Sequence, residues 1–210
     1  MLETPQRIEP ARLEDVPEAI SDLVAELATA ATKLEAALYP KTAASLAHLV
    51  RIMNSYYSNL IEGNNTRPRD IERALAGQFD NGERRNLQIE AAAHVRLQAE
   101  LDRRFANGEL TEPTSTEFIS WLHKEFYRDA PREALIIKAN GRSIKMVPGQ
   151  WRSIPNEDVS VGRHQPPSSE HVAEFMRYFA GRYQFERLES DSYCFGMNSC
   201  TCDSAGDLLD

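Results

Sequence analysis

Apolar positions recur with a helical period over most of the chain, and the period fails in two places. Residues 13–38 place Leu13, Val16, Ile20, Leu23, Val24, Leu27, Leu34 and Leu38 at helical spacing. Asp15, before Val16-Pro17, is the expected N-cap, and Pro40 closes the segment. A second helix is expected over 42–61, with Leu46, Leu49, Val50, Met53, Tyr57 and Leu60 on one face. Thr42 caps its start, and Gly63 with Asn64 and Asn65 stops it. Pro68 suits the first position of a short helix over 68–76. A long helix fits 83–106 through Leu87, Ile89, Ala93, Val95, Leu97, Leu101 and Phe105, and another fits Thr114 to Arg128 through Phe118, Ile119, Leu122 and Phe126.

The first break covers residues 134–164, which hold glycines, prolines and β-branched residues without a helical stripe. "SIKMVPGQWRS" and "DVSVGRHQPP" read as two extended segments joined by a turn, a hairpin over about 143–164. Ser168 or Ser169 then caps a helix to about Tyr183, with Val172, Phe175, Met176 and Phe179 on one face. The expected class is therefore all-α, with one β-like excursion. The second break is the tail over 189–210. After Arg187 there is no Lys or Arg, but there are five acids: Glu189, Asp191, Asp203, Asp207 and Asp210. This composition fits a disordered tail or a shifted reading frame.

Composition narrows the function classes. With 210 residues and 41% hydrophobic content, the chain has enough for one core, or for one core plus a small helical extension, and residues 1–41 read as an N-terminal helical region. A net charge of −8 argues against nucleic acid held on a broad basic surface. No apolar run approaches the roughly 20 residues of a membrane span. The N-terminus "MLETPQRIEPARLEDVPEAI" has no apolar signal core, so a cytoplasmic location is expected. All three cysteines, Cys194, Cys200 and Cys202, fall in the tail, which is no disulfide framework.

Two stretches carry a resemblance. "SNLIEGN", residues 58–64, places Ser58 three residues before Glu62-Gly63-Asn64. "PGQWRSIPNEDVSVGRHQPPSSEHVAEFM" follows at residues 148–176. The first resembles the inhibitory motif of Fic-domain (Fido) proteins: Ser or Thr, three residues, then Glu before Gly or Asn. The second resembles that family's flap hairpin and the helix after it, through Pro148, Gly149, Arg152, Val159, Val161, Gly162, His164, Pro166, Pro167, Val172 and Met176. The likeness covers residues 42–188, with an inhibitory helix over 42–64 and a flap over about 143–164.

The resemblance implies a helical bundle that transfers AMP from ATP, with Mg2+, to a hydroxyl of a target protein. It further implies that Glu62 pairs with an arginine of the family's signature helix, where the ATP γ-phosphate would otherwise be held. Ser58, one turn earlier, lies on the same helix face. Gly149, Arg152, Val161, Gly162, His164, Pro166 and Pro167 become the candidates for docking the target, Val161 and Gly162 through backbone pairing.

The family signature, His-x-Phe-x-(Asp/Glu)-Gly-Asn-Gly-Arg, is absent. None of the five histidines begins it, and "NGR" at Asn140-Gly141-Arg142 is the nearest string. The family-like text stops at about Leu188, where the tail begins; a frameshift would account for both. No catalytic residue is therefore expected in this chain, nor productive binding of ATP or Mg2+. The alternative is an inactive module that binds or inhibits another Fic protein through the Glu62 helix.

Plainer readings compete at each position. Glu62-Gly63 reads equally as an ordinary helix end, and His164 as a turn residue. Trp151 is expected to pack under the flap. Glu90 and His94 have an i, i+4 metal-ligand spacing, but a solvated pair is the favoured reading because no third ligand is evident. Three tail thiols without a nearby histidine do not make a zinc site. Arg84-Arg85 and Arg103-Arg104 read as exposed helix charges.

Overall fold

The computed structural model describes residues 3–11, 17–139, 142–159 and 165–187. It is mostly helical, with one small two-stranded antiparallel sheet, in keeping with the all-α class. A 3-10 turn at Pro5–Ile8 precedes six α-helices: α1 Glu18–Ala37, α2 Pro40–Ile61, α3 Pro68–Leu75, α4 Glu83–Ala106, α5 Thr116–Phe126 and α6 Val172–Arg182. The strands β1 Ile136–Ala139 and β2 Arg142–Lys145 lie between α5 and α6.

The core forms where α2, α3 and α4 meet. Ile52 of α2, Ile71 of α3, and Ala91 and Val95 of α4 are buried together, with Tyr56 and Leu75 packed against them. Ala91, Ala92 and Ala93 are all buried. Three small side chains in a row let neighbouring helices approach α4 closely without loss of helix propensity. Ser55 uses that closeness: its hydroxyl donates to the Ala91 carbonyl at 3.1 Å, fully buried. Buried Gln88 closes the α3–α4 connection. Its amide accepts the Asp80 N–H at 2.8 Å and donates to the Asp80 carboxylate at 3.0 Å. α4 also packs on α5, α5 packs on α6, and the Pro5–Ile8 turn lies against α6.

Several expectations need correction. α2 starts at Pro40, not at a Thr42 cap, because proline fits the first helical turn, where its missing N–H costs nothing. The stripe expected to face the core of α2 is largely exposed: Leu46, Leu49, Val50, Tyr57 and Leu60 all lie at the surface. The face that is buried is Ile52 and Ser55, with Tyr56 half-buried, offset around the helix. Phe105 is 72% exposed, beyond the end of the packed part of α4. α1 has no buried residue at all. Asp15, Leu13 and Val16 lie outside the described residues, and α5 is shorter than expected, with the Ser115 hydroxyl accepting the Phe118 N–H at 3.1 Å.

The hairpin lies earlier than expected. Its register pairs Ile136 with Lys145 and Ala139 with Arg142, so residues 140 and 141 alone connect the strands. Asn-Gly between β-branched runs is the strongest short hairpin signal, and that dipeptide stands at 140–141. The expected first strand, "SIKMVPGQWRS", holds β2 at its start and is then interrupted by Pro148-Gly149. Of the expected second strand, residues 158, 159 and 165–167 are not strand, and 160–164 lie outside the described residues.

Ile71 is central to the core, so Ile71→Ala should cost about 2–5 kcal/mol through lost burial and an unfilled cavity. Urea unfolding measures this; a loss below about 1 kcal/mol would mean that α2, α3 and α4 do not share a close-packed centre.

Candidate functional site

α2 ends in a complete Schellman motif. Gly63 donates its N–H to the Leu60 carbonyl at 3.1 Å, and Asn64 donates to the Asn59 carbonyl at 2.7 Å. Gly63 holds φ +81°, a conformation that side chains disfavour, which accounts for glycine after Glu62. Glu62 is therefore the C-cap residue, and its own N–H reaches the Ser58 carbonyl at 3.2 Å. Ser58, Glu62 and Gly63 are exposed and Asn64 is half-buried. Among the described residues, neither the Ser58 hydroxyl nor the Glu62 carboxylate has a hydrogen-bond or ion-pair partner. The plain reading of Glu62-Gly63 as a helix end is thus correct as geometry.

One feature of that end is unusual in its energetics. A carboxylate at a helix C-terminus sits beside outward-facing carbonyls and the negative end of the helix dipole, which disfavours it by about 0.3–1 kcal/mol. No basic residue lies in the last turn of α2 to offset this. The end of α2 thus carries the Glu62 charge, and Tyr57, Leu60 and Ile61 are exposed along its last two turns, the last of these 83% exposed. Such a surface suits a guanidinium, which bonds a carboxylate in a bidentate manner and tolerates apolar surroundings.

The expected docking segment, in contrast, is largely turned inward. Gly149 packs on α5, and its N–H donates to His123 Nδ1 at 2.7 Å. A Cβ at Gly149 would stand 3.0 Å from Lys124 Cβ and 3.1 Å from the Ser120 carbonyl, and its φ is +82°. Arg152 donates to the Pro167 carbonyl at 2.5 Å and to the Ser169 hydroxyl at 3.1 Å, and lies 3.7 Å from Asp158. Asp158 in turn accepts the Ser169 N–H at 2.7 Å. Arg152 therefore ties the segment to the start of α6 and offers no free guanidinium to a target. Pro166 and Pro167 are half-buried, and Val161, Gly162 and His164 lie outside the described residues. Trp151 lines a cleft of about 100 Å³ with Ile137, Ile144, Met146, Val147 and Val159, a packing role under the hairpin.

Polar groups that the sequence reading passed over hold these pieces together. His123 carries no motif, and only its partner Gly149 reveals its use. Arg104 is not a simple exposed charge: its guanidinium stacks 3.9 Å from the Trp121 ring centre and bonds Glu100. Paired with Arg103 and Arg104, Glu100 is held down to about 2. Glu90 and His94 are both half-buried on α4, less solvated than the sequence suggests. Burial raises the Glu90 carboxyl and lowers the His94 ring. The Tyr127 hydroxyl is raised by burial first and then by the Glu90 charge. Among the described residues, no group of three or more His, Cys, Asp or Glu could hold a metal ion. At the N-terminus, the Glu3 carboxylate accepts both the N–H and the hydroxyl of Ser168 at 2.8 Å, and Glu9 pairs with Arg182, clasping the first turn to α6.

Two outcomes follow for the α5 contact. Gly149→Ala should destabilise by about 1–3 kcal/mol, through backbone strain and the clash with Lys124 and Ser120. Burial lowers the His123 pKa, so the folded state favours the neutral ring that accepts the Gly149 N–H. Its contribution is complete above pH about 6.5, the unfolded histidine value, and is lost as pH falls towards the folded value. Exchange of the Gly149 amide, corrected for intrinsic rate, should therefore speed up on acidification, and His123→Ala should remove the effect. Unchanged protection through that range would contradict the contact. No helix among the described residues is long and apolar enough to cross a membrane. Compared with family models, with curated proteins and with solved structures, the chain matches none.

Proposed function

We propose that residues 42–188 are the regulatory and target-facing part of a Fic-type protein adenylyltransferase fold, and that Glu62 is its inhibitory carboxylate. The single observation that carries this is the tip of α2. Glu62 stands there exposed, without a partner among the described residues, on a helix end that its charge does not stabilise. An arginine reaching this tip meets the carboxylate and the last carbonyls together. Held in this way, it cannot also grip an ATP γ-phosphate, so the nucleotide loses the pose needed for AMP transfer. The order of the Ser58–Asn64 motif and the Pro148–Met176 stretch supports the same reading.

The chemistry of the transfer lies outside these residues. No general base, metal-binding acid or glycine-rich phosphate loop of the family signature occurs in the 210 residues. ATP and Mg2+ belong to the complete catalytic arrangement, with a protein hydroxyl as acceptor. The second reading, an inactive module acting on another Fic protein, is favoured by the exposed Tyr57, Leu60 and Ile61 in the last two turns of α2. A different chain that supplies the arginine would cover these apolar side chains as well.

The two readings share one experiment. Incubated with labelled ATP, Mg2+ and a lysate, the chain alone should transfer no label; robust transfer would sink the assignment. Added to an active Fic adenylyltransferase that lacks its own inhibitory helix, it should reduce labelling under the second reading, and Glu62→Gly should lose that effect. If Glu62→Gly inhibits as well as the parent chain, Glu62 is not the inhibitory group. Glu62→Gln should also raise the stability of the chain slightly, by up to about 1 kcal/mol, because it removes charge from the negative end of α2.

A further inference from the structure

We propose that α1 is a self-association helix, pairing antiparallel with α1 of a second copy of the chain. None of its residues is buried, and Ile20, Leu23, Leu27 and Leu34 are 45–71% exposed. Helices of this length draw most of their stability from a packed apolar face, so a bare stripe calls for an occupant.

The spacing within α1 identifies that occupant. Ile20, Leu27 and Leu34 repeat every seven residues, and Leu23, Ala30 and Ala37 repeat in the intervening positions. Two copies laid antiparallel bring Ile20 against Ala37 of the second copy, Leu27 against Ala30, and Leu23 against Leu34. Large residues thus meet small ones in two of these three kinds of layer, which allows close packing. The flanks add charge complementarity: Glu26 falls beside Lys33 of the second copy, and the symmetry makes that pair twice. On the other flank, Val24 falls beside Ala31. A parallel pair does neither. It stacks Ala30 on Ala30 and Ala37 on Ala37, leaving gaps, and sets Glu26 and Lys33 beside Ala31 and Leu38, with no ion pair. The pattern therefore selects a second copy, and selects its direction.

A 20-residue helix is about 30 Å long, so the contact falls at the small end of specific interfaces. The dimer should be reversible and concentration-dependent. Sedimentation velocity of the full 210-residue chain, at concentrations on the order of 1 to 100 µM, should show monomer passing to dimer. Leu27→Glu should leave a monomer throughout, with the urea unfolding transition of the α2–α4 core unchanged, since no residue of α1 is buried in the chain. Glu26→Lys and Lys33→Glu should each weaken the dimer by about 3- to 10-fold, and less in high salt. The double variant Glu26→Lys/Lys33→Glu should restore it to within about twofold. A parent chain that stays monomeric, or a Leu27→Glu variant that still dimerises, overturns the proposal. A double variant that is not restored overturns the antiparallel register. None of these outcomes depends on Glu62 or on AMP transfer.

Discussion

The close approach of α2 and α3 to the Ala91–Ala93 run of α4 is the constraint on which the other contacts depend. Residues larger than alanine there would push Ile52 and Ile71 apart and take Ser55 out of reach of the Ala91 carbonyl. The hydrogen bond matters less for its own roughly 1 kcal/mol than for the penalty if Ser55 were buried without it. With that crossing set, the rest follows in sequence. α4 presents Arg104 to Trp121 on α5, α5 presents His123 to Gly149, and the 150–158 segment reaches α6 through Arg152. The same crossing anchors the middle of α2 and leaves its last turn, with Glu62, projecting past the core.

Helix existence was legible in the sequence, because 3.6-residue periodicity and terminal glycines and prolines act locally. The choice of which face packs was less so. On α2, Leu46, Leu49, Val50, Tyr57 and Leu60 make the stronger apolar stripe, yet the buried face uses Ile52 and a serine. Apolar content alone cannot find that face, because what decides it is how near two backbones come, and small residues report closeness rather than hydrophobicity. Gln88 escapes for a related reason. Buried polar groups are chosen by their partners, and the Asp80 backbone cannot be seen in a pattern of side chains. The hairpin lies earlier than expected because Pro148-Gly149 interrupts the segment read as its first strand, while the stronger Asn140-Gly141 signal resembles a fragment of another motif.

The candidate site divides along the same line. Glu62 and Gly63 were legible because a helix end is written in adjacent residues. Arg152 and Gly149 were singled out from a motif, but their surroundings give them internal work: one ties a loop to α6, the other seats it on α5. His123, the partner of Gly149, carries no sequence signal; Ser169 is legible only as a candidate helix cap, and its bond to Arg152 emerges only from tertiary contact. A rigid segment of this kind is still compatible with a docking surface, since preorganised backbone binds with less ordering cost than a loose loop.

What distinguishes Glu62 from an ordinary helix end is that its exposed charge works against its own helix and has no partner among the described residues. The most direct measurement is a backbone amide titration of the isotopically labelled chain with an unlabelled Fic adenylyltransferase that lacks an inhibitory helix. The resonances of Gly63, Asn64 and the last turn of α2 should shift together, and Glu62→Gln should abolish the shift while leaving the spectrum of the free chain otherwise intact. Shifts confined to other elements, or shifts at α2 that survive Glu62→Gln, would contradict the assignment of the carboxylate as the group that receives the arginine.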